Sequence, residues 1–92
     1  MEIKHQDKDG KGMFYIELNG KIVGEMTYVW RGNEKIIIDH TKVESELNGK
    51  GAGKQLVRAA VDFARDKGIK IIPVCPFAKS VFDKVDEFKD VL

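Results

Sequence analysis

The stretch that decides the fold of this chain is Asn48-Gly49-Lys50-Gly51-Ala52-Gly53-Lys54-Gln55, which places three glycines before a segment of helical period. Glycine has no Cβ, so its backbone N–H groups can approach an anion closely. The N-terminus of the following helix adds unpaired N–H groups and partial positive charge. The run therefore predicts a loop that binds a phosphate group.

Two familiar nucleotide-binding loops do not fit this run. A Walker loop needs Gly, four residues, then Gly-Lys-Ser/Thr, but Asn48 stands at the first position and Gln55 at the last. The dinucleotide fingerprint G-x-G-x-x-G, started at Gly49, meets Lys54 instead of its last glycine, and the register two residues later fails in the same way. The sequence thus argues against ATP and NAD as the phosphate ligand.

The segments before the loop have the pattern of an antiparallel sheet. Alternating apolar and polar residues, as in Phe14-Tyr15-Ile16-Glu17-Leu18, are typical of a half-buried strand. Asn19-Gly20 is a tight hairpin signal, because both residues accept positive φ. We predict a meander of strands over residues 3–5, 13–18, 21–30 and 34–43, with polar residues 7–12 as an exposed turn.

The segments after the loop predict a helix, a strand and a second helix. Apolar residues recur at helical spacing over residues 54–67, and Lys67-Gly68 supplies a terminal cation and a C-cap. A short buried strand over residues 69–74 is expected to run parallel to the preceding one, because a helix connects them. Residues 78–84 predict a short helix, and 86–92 a further turn. The fold class is α/β, more strictly α+β, in a single domain over residues 1–92.

Composition excludes several functional classes. Sixteen basic residues against fifteen acidic ones provide no field that would favour nucleic acid or an anionic membrane. No apolar run approaches the roughly 20 residues of a membrane span. The single cysteine, Cys75, excludes an internal disulfide, and no metal site is expected. We expect a cytoplasmic protein without nucleic-acid or membrane partners, as a monomer or weak dimer.

The loop and its neighbours resemble the GNAT superfamily of acyl-CoA-dependent N-acetyltransferases. The superfamily pattern Arg/Gln-x-x-Gly-x-Gly/Ala is matched by Asn48, Gly51 and Gly53. Residues 36–43 look like the strand that enters that loop, and residues 54–67 look like its helix. The run from Cys75 to Phe82 has the spacing of the superfamily's Asn-x-x-Ala-x-x-x-Tyr segment. The chain looks most like the minimal, single-domain members.

The resemblance implies acetyl-CoA or CoA as the cofactor. In that family the loop backbone holds the pyrophosphate, and the end of the preceding strand pairs with the pantetheine arm. Asn48 departs from the usual Arg or Gln, which removes a long side chain and leaves the backbone donors. The positions that inherit these roles are Val43, Asn48, Gly49, Lys50, Gly51, Ala52, Gly53 and Lys54.

Two residues are candidates for catalysis. Where many relatives carry a tyrosine that protonates the leaving thiolate, this chain has Phe82, which has no proton to give. Cys75 is expected near the thioester, as acyl acceptor, as weak acid or as a buried apolar group. His40, on the strand that enters the loop, could take the amine proton or could be a structural residue. The sequence leaves these roles open.

The resemblance implies an acetyltransferase that acts on a primary amine. The chain has no room for helices that would enclose an acceptor, so an exposed lysine of a protein or peptide is favoured. The alternative is a CoA-binding or protein-interaction module with little turnover, which Phe82 favours.

Overall fold

The computed structural model describes all residues, Met1–Leu92, as one five-stranded sheet with two α-helices packed on one face. This face is called the helix face below, and the opposite one the outer face. The strands are β1 (Lys4–Lys8), β2 (Lys11–Leu18), β3 (Lys21–Arg31), β4 (Lys35–Val43) and β5 (Lys70–Pro73), the α-helices are α1 (Ala52–Lys67) and α2 (Pro76–Lys84), and the 3₁₀ helices are Ser45–Leu47 and Asp86–Val91.

The strand order follows the chain order. The first four strands form an antiparallel meander, and β5 pairs in parallel with β4 after the α1 crossover. The predicted fold class and the predicted parallel pair are both confirmed. The predicted ends differ by a few residues, since α1 begins at Ala52, α2 begins at Pro76, and β5 is confined to Lys70–Pro73.

The core lies between the helix face and α1. The sheet contributes alternate residues such as Phe14, Met26 and Ile38, which are buried because successive side chains on a strand point to opposite faces. The helix contributes a stripe at helical spacing: Leu56, Val57, Ala60, Val61 and Ala64. No buried side-chain nitrogen or oxygen lacks a hydrogen-bond partner.

The polar segment between the first two strands is shorter than predicted. Strand pairing continues as far as Lys8 and Lys11, and only Asp9 and Gly10 form the turn, with φ values of 55° and 83°. Asp7 belongs to the strand because its carboxylate accepts hydrogen bonds from the Tyr28 hydroxyl (2.5 Å) and from the indole N–H of Trp30 (2.8 Å). The hydrogen bond from the Tyr28 hydroxyl is the main reason why the pKa of Asp7 is below its usual value.

Membrane insertion through a helix is not supported, because neither α-helix combines the length and the apolar character that a membrane-crossing helix needs.

We expect Gly12→Ala to destabilise the protein by about 2 kcal/mol, because a Cβ there would lie 2.5 Å from the Gln6 carbonyl oxygen and would also overlap the Tyr28 ring. The backbone oxygen cannot move without breaking the β1–β2 ladder. Urea denaturation measures the loss. Gly24→Ala is the matched control, since the atom nearest to its Cβ is the flexible Leu47 Cδ1 at 3.2 Å and Ile16 Cδ1 follows at 3.4 Å, and it should cost less than about 1 kcal/mol. Equal losses in the two variants would contradict the argument.

Candidate active site

The pairing of β4 with β5 stops halfway along β4. The parallel ladder covers Lys35 to Ile38 only. At its end the Ile38 carbonyl accepts two hydrogen bonds, from the N–H groups of Val74 and Cys75, both at 3.0 Å. Beyond Ile38 the backbones of the two segments no longer pair and they separate, since β4 continues to Val43 while the other segment turns into α2, although the Cys75 sulfur still contacts Thr41 across the gap. This separation is called the opening below.

The second half of β4 presents a free backbone edge to the opening. A β-bulge at Asp39 shifts the register, because Tyr28 pairs with Ile38 while Thr27 pairs with His40. Hydrogen-bonded and outward-facing residues alternate along an antiparallel strand, and the Glu44 N–H bonds to β3. The backbone groups of Thr41 and Val43 therefore point away from β3. This is the edge that a ligand with amide groups could extend as a further strand.

The glycine loop leaves the first turn of α1 without a side-chain cap. Gly51 is the N-cap residue with φ of 67°, and Gly49 has φ of 75°, conformations that favour glycine. No side chain bonds to the first-turn N–H groups, so their donors remain for a ligand. Lys50 and Lys54 are exposed and form no ion pair, whereas Ala52 and Gly53 are buried. Asn48 ends the preceding 3₁₀ helix, with its N–H bonded to Ser45.

Cys75 lies at the end of the opening that is nearest β5. It is the N-cap residue of α2, it is 6% exposed, and its sulfur lies 3.4 Å from Thr41 Oγ1 on β4. Burial opposes ionisation of the thiol. The Thr41 hydroxyl and the N–H groups of the first α2 turn outweigh burial, so the pKa of Cys75 is lowered. The backbone N–H groups of Phe77 and Ala78, in that turn, interact with the sulfur and favour its ionised form.

His40 lies on the other face of the sheet from Cys75. Met26 of the core pairs with Thr41, so Thr41 and its partner Cys75 belong to the helix face. His40 pairs with Thr27, the next residue along β3, and therefore points to the outer face. The two predicted catalytic residues are both near the opening, but the fold does not join them as a pair.

Phe82 belongs to the core instead of the site. Its side chain is 1% exposed and packs edge-on against Phe88, with ring centroids 6.4 Å apart. Sequence reasoning missed Thr41, the hydroxyl beside the thiol, and Phe77, whose ring packs on Gly53. The alternation of β4 could have placed Thr41 on the helix face, but no sequence pattern predicts the bulge that sets that alternation.

We expect Thr41→Val to raise the pKa of Cys75 towards the ordinary value, because burial then opposes ionisation without the hydroxyl that offsets it. The measurement is the alkylation rate of Cys75 against pH, with native and urea-denatured protein compared. In the wild type the native midpoint should lie below the denatured one, and in the variant it should move upward. Thr27→Val, on the outer face, is the control and should leave the profile unchanged. A profile that is the same in wild type and Thr41→Val would disprove the role of Thr41.

Known proteins match this chain both in sequence and in structure. A family model described as GCN5-related N-acetyl-transferase matches residues 13–91. An NMR structure of a GCN5-like protein from Staphylococcus aureus is 43% identical, with a TM-score of 0.75 over 98% of this chain and 85% of the other. Comparison with functionally curated proteins gives no significant match.

More distant structures share the fold alone. A ribosomal-protein-alanine N-acetyltransferase from Brucella melitensis is 16% identical, with a TM-score of 0.67 over 85% of this chain. A GNAT acetyltransferase from Elizabethkingia anophelis, solved with acetyl-CoA bound, is 20% identical, with a TM-score of 0.59 over 70% of this chain. This chain spans 62% and 42% of the lengths of those two proteins.

The family match confirms the expected class of cofactor, acetyl-CoA or CoA. Together with the sheet that separates beyond Ile38 and the uncapped helix after the glycine loop, it makes the assignment plain: the chain belongs to the GCN5-related N-acetyltransferase family.

Proposed function

We propose that this protein transfers an acetyl group from acetyl-CoA to an exposed primary amine of a protein or peptide. The observation that carries the proposal is the opening beyond Ile38, which has a free strand edge on one side and the thiol of Cys75 on the other. A thioester placed there can be reached from both faces of the sheet. Family membership supports the class of reaction.

The cofactor would lie along the helix face in three contacts. Its pyrophosphate accepts hydrogen bonds from the loop backbone between Asn48 and Lys54, where the dipole of α1 adds to the attraction. Lys50 and Lys54 are exposed at the loop and add positive charge. The pantetheine amides extend the β4 edge at Val43, and the thioester reaches Cys75 and Thr41.

The acceptor would approach from the outer face. That face carries no helix, and it holds a shallow cavity of about 350 Å³, lined among others by Lys8, Lys11, Met13, Thr27, Val29 and Asp39. The cavity reaches Asp39, the bulge residue directly after Ile38, so it ends beside the opening. Its open shape suits a side chain displayed on a macromolecule. His40, on this same face, would take the proton of the amine, directly or through water.

The chemistry at the thioester needs one proton donor. The amine nitrogen attacks the thioester carbonyl, the carbon–sulfur bond breaks, and the sulfur leaves with the electron pair and takes a proton. Phe82 cannot supply that proton. Cys75 is the titratable group on the helix face of the opening, and its thiol can protonate the sulfur or accept the acetyl group first.

A second function, CoA binding with little turnover, is favoured by two observations. Phe82 is buried at the position where the family pattern has a tyrosine that can protonate the leaving thiolate. His40 and Cys75 face opposite sides of the sheet. Measured turnover separates the two functions.

We expect Gly51→Asp to weaken CoA binding more than tenfold, about 1.4 kcal/mol, because a carboxylate would stand in the path of the pyrophosphate. A side chain at position 51 would extend into open space, but the positive φ of the backbone there is strained for any residue with a side chain. Gly51→Asn is the matched control, since it has the same shape and strain without the charge, and it should lose much less affinity. Calorimetry with CoA measures both. Equal affinity in wild type and Gly51→Asp would reject the site.

We expect Cys75→Ala to lower acetyl transfer to a lysine peptide at least about tenfold while CoA affinity stays near the wild-type value, as for an interaction made mainly in the transition state. Intact mass of the wild type incubated with acetyl-CoA alone distinguishes the two roles, because only an acyl acceptor gains one acetyl group on Cys75. Melting temperature is the control. Unchanged turnover with a lower melting temperature would make Cys75 a packing residue.

A further inference from the structure

The first turn of α2 places an exposed aromatic ring over the glycine loop. Phe77 is 42% exposed, and its ring packs directly on Gly53, in the first turn of α1. A Cβ on Gly53 would lie 2.5 Å from Phe77 Cε2, so this contact requires glycine at position 53. The sequence pattern of the family accepts alanine there, and here the space that an alanine would need is filled by the ring.

The ring lies between the two ends of the proposed cofactor site. Gly53 belongs to the loop that would hold the pyrophosphate, and Cys75, two residues before Phe77, marks the thioester end. The pantetheine arm of CoA is the part of the molecule that has to cross between these two points.

We propose that Phe77 is a cofactor-binding residue, whose ring forms the apolar wall on which the pantetheine arm of CoA packs. This inference rests on the proposed function. The free edge of β4 supplies hydrogen bonds to the amides of the arm, and the ring supplies contact for its methyl and methylene groups, which gain free energy when they leave water. Gly53 keeps the ring close to the loop, so the arm is guided from the pyrophosphate towards Cys75.

The test compares two ligands that differ in the pantetheine arm. CoA contains it, whereas adenosine 3′,5′-bisphosphate keeps only the nucleotide end. We expect Phe77→Ala to weaken CoA binding about tenfold and to leave the affinity for the bisphosphate unchanged. Phe77→Tyr, which keeps the ring, should bind CoA as the wild type does. Leu92→Ala is the matched control, because Leu92 is 48% exposed and follows Asp90, which bonds Arg65 in the last turn of α1, at the opposite end of that helix from the glycine loop, and it should change neither affinity.

Each other result has a definite meaning. If Phe77→Ala weakens both ligands equally, or leaves CoA binding unchanged, the ring does not contact the arm and the inference is wrong. If the variant binds CoA more tightly, the ring obstructs the cleft, which also overturns the inference. If the wild type does not bind CoA, the proposed function is wrong as well. If the wild type and Phe77→Ala bind CoA equally well, only the inference about Phe77 is wrong.

Discussion

The site depends on the carbonyl group of Ile38, which ends the parallel ladder. Because this oxygen accepts both the Val74 and the Cys75 N–H groups, the chain turns there and cannot continue as a strand. Pro76 reinforces the turn, since proline has no N–H for a ladder and its ring suits the first turn of a helix. The bulge at Asp39 acts on the opposite strand at the same level. The opening therefore results from two local backbone features and needs no movement of the helices.

The anion binding that we propose for the glycine loop would depend on backbone geometry more than on charge. The net charge of the chain is +1, and Asn48 stands where relatives carry a longer side chain. Gly49 and Gly51 have positive φ, and the N-cap of α1 has no side-chain acceptor, so the N–H groups of the first α1 turn have no side-chain partner. The missing cap leaves the first turn of α1 without a stabilising hydrogen bond of about 1 kcal/mol. A bound anion would supply the missing acceptor, which couples ligand binding to the stability of this helix.

The sequence predicts the architecture well, because periodicity and turn chemistry are local. The helix stripe of α1, the Asn19-Gly20 hairpin and the glycine loop all appear where the patterns place them. The wrong prediction of a turn over residues 7–12 has a physical cause, since a polar residue such as Asp7 favours a turn until its hydrogen-bond partners Tyr28 and Trp30 are known. The contacts of Thr41 with Cys75 and of Phe77 with Gly53 join segments distant in sequence, so no periodic pattern contains them.

The sheet itself would separate the two halves of the proposed reaction. Thr41 and Cys75 lie on the helix face, while His40, Thr27 and Asp39 lie on the outer face, where the Thr27 hydroxyl donates to Asp39 at 2.6 Å. A residue that takes a proton from the amine and one that serves the sulfur would therefore act from opposite sides. Donor and acceptor can then meet only where the sheet is interrupted. The opening beyond Ile38 is such a point, with the Cys75 thiol on the helix face and His40, two residues along β4 from Ile38, on the outer face.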